Sequence, residues 1–60
     1  MNNKWIPATK LIEILQPLIA QHGDELGVEC NSVGNLLVSN KNDNIGFIVI
    51  SEHAAEYQAF

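Results

Sequence analysis

Apolar residues between Ile45 and Ser51 fall on both sides of an extended strand, with Phe47 and Val49 pointing one way and Ile48 and Ile50 the other. A strand of this kind needs cover on both faces, and the rest of the chain is organised around that need. Upstream, Leu11, Leu15, Leu18 and His22 form one stripe at helical spacing, flanked by Ile12, Ile14 and Ile19. Lys10, Glu13, Pro17 and Gln21 take the opposite side. The pattern predicts a helix from about Pro7 to His22. Pro7 suits the first turn, where its missing N–H has no intrahelical partner, and Trp5 or Ile6 is placed to fold back as a hydrophobic staple. Pro17 removes the bond to Glu13, so the pattern predicts a kink rather than two shorter helices. Gly23 is expected to end the helix.

Leu26, Val28 and Cys30 alternate with Gly27, Glu29 and Asn31, the pattern of a half-buried strand. Ser32-Val33-Gly34-Asn35 supplies turn residues and Leu36 to Ser39 a second short strand, so the pair predicts a hairpin. Asn40 to Asn44 reads as a loop, because Asn and Asp side chains bond their own backbone and tolerate positive φ. After Ser51, a residue suited to capping, Ala54, Ala55, Tyr57 and Ala59 favour a short C-terminal helix. The predicted architecture is a single α+β domain over residues 1–60: an N-terminal helix packed on a three-stranded antiparallel meander, with a short C-terminal helix.

Size changes the picture. A chain of 60 residues buries only about 60% of the surface that its unfolded form exposes, and domains of this size are usually completed by disulfides, a metal or oligomerisation. A single cysteine, Cys30, excludes an internal disulfide, and no Cys/His pair has zinc-ligand spacing. With 47% hydrophobic and 17% charged residues, association is the remaining route. The predicted interface is the apolar surplus at Leu37, Ile48, Ile50, Tyr57 and Phe60, supplied to a second copy on the sheet's second face or its edge.

Charge narrows the partners. The net charge is -4, and the three basic residues, Lys4, Lys10 and Lys41, are all lysines. Nucleic-acid binding needs a basic surface and is disfavoured, and without arginine no site for bidentate grip of phosphate or carboxylate is expected. Pro7, Lys10 and Glu13 interrupt any signal-peptide core, and no apolar run approaches the roughly 20 residues that span a bilayer. The expectation is a soluble cytoplasmic protein without a cofactor.

Candidate chemistry is thin. His53 and Glu56, three apart on the expected last helix, would need His22 or Asp24 to make a metal site, and solvated histidines at helix ends are the plainer reading. Cys30 is expected as a small buried hydrophobe rather than a nucleophile. Asp24 and Glu25 are adjacent loop carboxylates, and the glycines lack the Lys-Ser/Thr of a phosphate loop. The seven acidic residues are scattered along the chain and read as solubilising charge.

The run Lys10-Leu-Ile-Glu-Ile-Leu-Gln16, then Gly23-Asp24, Val28-Glu29 and Gly34-Asn35-Leu36, resembles a layout found among small phage and prophage proteins. The resemblance implies a host-directed or regulatory binding role in the host cytoplasm and no catalytic residues. Together these readings favour a small acidic protein-binding protein acting as a homodimer, not an enzyme. The alternative is an assembly component whose homo-oligomer is the functional form, and a metal-binding or enzymatic domain comes third.

Overall fold

A computed structural model describes residues 5–41 and 43–60. Helix α1 (Ala8–His22) is followed by a single 3₁₀ turn, Gly23–Glu25, and then by strands β1 (Leu26–Cys30), β2 (Leu36–Asn40), β3 (Asp43–Ser51) and β4 (Ala54–Ala59). The strands form one antiparallel meander in the order β1-β2-β3-β4. The α+β class and the N-terminal helix match the sequence reading.

The tail of the chain departs from it: residues expected as a C-terminal helix form β4. Alanine favours helix, but packing overrides propensity here. The free edge of β3 takes up 54–59 in register, from Ser51↔Ala54 through Ile48↔Tyr57 to Gly46↔Ala59. Ser51 therefore caps no helix. It ends β3 at a two-residue turn in which His53 takes the left-handed conformation (φ 62). The Asn-rich tract is also tighter than a loop. Asn40 pairs with Asp43, and the positive φ there falls on Lys41 (φ 56) rather than on a described Asn or Asp.

Helix α1 runs unbroken through Pro17, which is exposed. Its end is as expected: Gly23 has φ 65 and its N–H bonds the Ile19 carbonyl. Ahead of the helix, Trp5 is tied to the β3–β4 turn. Its carbonyl accepts the His53 N–H (3.1 Å), and the two rings meet edge-on at 5.7 Å.

Two hairpins are locked by side chains. Asn31 Oδ1 accepts the N–H groups of Val33 and Asn35 (3.1 and 2.9 Å) and so shapes the β1–β2 turn. Asn35 Oδ1 accepts the Ile50 N–H (3.1 Å), extending the β2–β3 ladder past the end of β2. Within β3, Val38 faces Gly46 while Ser39 faces Asn44, leaving Ile45 as a bulge.

The register sorts side chains between the two faces of the sheet. Val38 and Ile48 are the fully buried core among the described residues, each 0% exposed. Leu36, Val38, Ile48 and Tyr57 share one face by pairing and alternation. Helix α1 covers that face: Asn40, two residues from Val38, has Nδ2 3.0 Å from His22 Nδ1.

Candidate interaction surface

Opposite α1, no second layer covers the sheet among the described residues. The pairings Glu29↔Leu37, Leu37↔Phe47 and Phe47↔Gln58 line up one row across all four strands. The next row on the same face is Val49↔Glu56. An apolar strip of Leu37, Phe47 and Val49 therefore runs along the two central strands. Glu29 borders it on β1, and Glu56 with Gln58 borders it on β4. Gln58 donates to Glu56 Oε1 at 3.3 Å along that border.

Phe60 extends the strip. Its N–H bonds the carbonyl of the bulged Ile45 (3.1 Å), which fixes the end of β4 against β3. Its ring then lies 5.7 Å from that of Phe47, tilted by 36°. Phe60 is 72% exposed, while Leu37, Phe47 and Val49 are half-buried by their neighbours within the sheet.

The five residues expected at an interface thus divide. Leu37 and Phe60 lie on the open face. Ile48 lies on the covered face and, at 0% exposure, offers no surface in the folded protomer; Ile50 and Tyr57 share that face and are half-buried. The reason is geometric: alternation separates Phe47 and Val49 from Ile48 and Ile50 but does not say which set the helix takes. Phe47 and Val49, absent from the expected interface, are the residues that the helix leaves open.

The sheet has two edges, β1 and β4. The Lys41 N–H bonds the Glu25 carbonyl (2.9 Å) and the Asn31 N–H bonds the Asn35 carbonyl (2.8 Å). Odd-numbered backbone groups of this segment therefore turn toward β2. The N–H and C=O groups of Val28 and Cys30 turn outward along the β1 edge, as does the Leu26 carbonyl, while the Leu26 N–H bonds the Gly23 carbonyl. Val28 is 46% exposed, and Cys30 is exposed rather than buried, because β1 is an edge strand.

The titratable residues do not converge. His22 and His53 are associated with opposite ends of α1, a helix about 22 Å long at 1.5 Å per residue. Among the described residues, no three His, Cys, Asp or Glu side chains are grouped to hold a metal ion. Glu25 pairs with Lys41 (3.3 Å) at the β2–β3 turn, where both are exposed. No described helix is long and apolar enough to cross a membrane. Comparison with protein-family models, with curated proteins and with solved structures finds no match to this chain.

Proposed function

We propose that this chain is a small acidic protein that works by binding another protein, with the sheet face opposite α1 as its contact surface. One observation carries the reading: Leu37, Phe47 and Val49 form a continuous apolar strip, capped by Phe60, on a sheet that the described residues cover from one side only. A binding face characteristically has such an apolar centre with a polar rim, and here Glu29, Glu56 and Gln58 form the rim. The test is Leu37→Glu, which places a charge in the middle of the strip without touching Val38 or Ile48. Loss of partner capture with an unchanged melting curve supports the reading. Retained capture overturns it.

The working form in this proposal is a homodimer, and the open edge of β1 supports it. Antiparallel pairing of β1 with a second β1 about Val28 joins two sheets and places Glu29 opposite the partner's Gly27, so no like charges meet. A Val28→Pro substitution removes an outward N–H and leaves the β1–β2 ladder intact. Sedimentation across a dilution series should show a dimer for the unmodified chain and a monomer for this variant. A monomer in both cases removes the homodimer from the proposal.

A further inference from the structure

We infer that the occupant of the open sheet face is an amphipathic helix of another protein whose apolar stripe is bordered by lysine or arginine. The inference rests on the preceding reading that this face is the contact surface, and it adds the chemistry of what binds there. The first observation is charge. The apolar strip is bordered by Glu29 on β1 and Glu56 on β4, and none of the residues paired in its two rows is a cation. Lys10 lies on α1, Lys41 is paired with Glu25 at the β2–β3 turn, and Lys4 falls outside the described residues. A second copy laid face to face would bring no cation from these rows to either glutamate. A partner with cations flanking its apolar stripe satisfies both borders, and the net charge of -4 favours its approach.

The second observation is width. Glu29 and Glu56 stand three strand spacings apart, about 14 Å at 4.7–4.9 Å per spacing. A helix with its side chains is about 10–12 Å across, so one helix fills the space between the borders. Along β3 the strip runs from Ile45, where Phe60 is anchored, to Val49, about 13 Å at ~3.3 Å per residue, the reach of about two to three helical turns. The arrangement would give this face the cover that α1 gives the other.

The probes are two synthetic helical peptides of about 18 residues with the same leucine stripe, one flanked by lysines and the other by glutamates. Binding is read by fluorescence anisotropy and located by amide chemical-shift changes in the full chain. The lysine peptide should bind at least about tenfold more tightly than the glutamate peptide, a difference equivalent to ~1.4 kcal/mol. Added salt should narrow that gap. Shifts should concentrate at Leu37, Phe47, Val49 and Phe60, and Leu37→Glu should abolish them.

The double variant E29K/E56K alters only exposed side chains, so it leaves the fold intact and should reverse the preference between peptides. If both peptides bind this face equally, or the double variant leaves the preference unchanged, the cationic partner is wrong and the contact surface stands. Self-association that Leu37→Glu abolishes and that excludes the peptide makes a second copy the occupant and overturns the inference. If neither peptide moves any resonance of the face and the chain does not self-associate through it, the inference falls together with the underlying reading.

Discussion

The hydroxyl of Tyr57 donates to the carbonyl of Ile45 (3.3 Å) and lays its ring against Gly46, one position further along β3. A Cβ at position 46 would stand 2.6 Å from the Tyr57 hydroxyl oxygen, 2.7 Å from its Cζ and 2.6 Å from the Gln58 carbonyl oxygen. The glycine thus makes room for the ring, and the ring covers the backbone that glycine leaves bare. Because the Ile45 carbonyl also accepts the Phe60 N–H, the bulge anchors β4 at two points.

Gly46→Ala should therefore destabilise the fold by about 1–3 kcal/mol, the usual cost of overpacking. One of the atoms it meets is backbone and cannot swing aside. At roughly 4–8 °C per kcal/mol for a domain of this size, the loss is readable in a thermal melt. Tyr57→Phe removes only the hydrogen bond and should cost about 0.5–1.5 kcal/mol. An unchanged melting temperature for Gly46→Ala would show that steric room at Gly46 is not what the site requires.

Truncation on the two faces of the sheet should have opposite consequences. Ile48→Ala opens a cavity in a core with just two fully buried side chains among the described residues. It should cost about 2–5 kcal/mol, enough to unfold a marginal domain. Phe60→Ala, at a side chain 72% exposed, should change stability by about 1 kcal/mol or less while removing the aromatic contact with Phe47. Chemical denaturation of both variants checks the contrast. A Phe60 loss as large as that at Ile48 would mean that the open face is part of the core.

Much of this architecture was legible in the sequence where periodicity was long and consistent. Leu11 through His22 specified the helix and Gly23 its end, while the alternation from Leu26 to Cys30 and the run from Ile45 to Ser51 specified strands. Residues 54–59 were not legible in this way, because alanine there favours helix locally. What decides their state is the unpaired edge of β3 and the space over Gly46 that only Tyr57 in an extended strand can fill. The candidate surface was half legible. Two alternating sets are legible along β3, but which set α1 covers depends on the path of the helix across the sheet, so alternation alone does not single out Phe47 and Val49.

Asn35 does work that neither its composition class nor its turn position announces. Its side-chain oxygen accepts the Ile50 N–H at a part-buried site where β2 has no further residue to offer. Asn35→Ala leaves that N–H without its acceptor and should cost about 1–3 kcal/mol. Hydrogen exchange locates the effect: the Ile50 amide should lose protection more than the amides at the centre of β3. Unchanged exchange at Ile50 would mean that water replaces the Asn35 oxygen at no cost.

Pro17 offers the reverse kind of test, a substitution expected to stabilise. Helix α1 passes through it without a break, yet proline has no N–H for the Glu13 carbonyl and its ring crowds that carbonyl. Pro17 is exposed, so no core contact offsets the loss. Pro17→Ala restores the donor and should raise stability by about 1–3 kcal/mol, less what proline contributes by restricting the unfolded chain. Thermal unfolding should shift upward by roughly 4–8 °C for each kcal/mol gained, with far-ultraviolet dichroism confirming that helix content does not fall. A lower melting temperature would give Pro17 a positive structural role: the helix would need the backbone geometry that proline imposes to reach β1 and β4 together, the two strands at opposite edges of the sheet that it contacts.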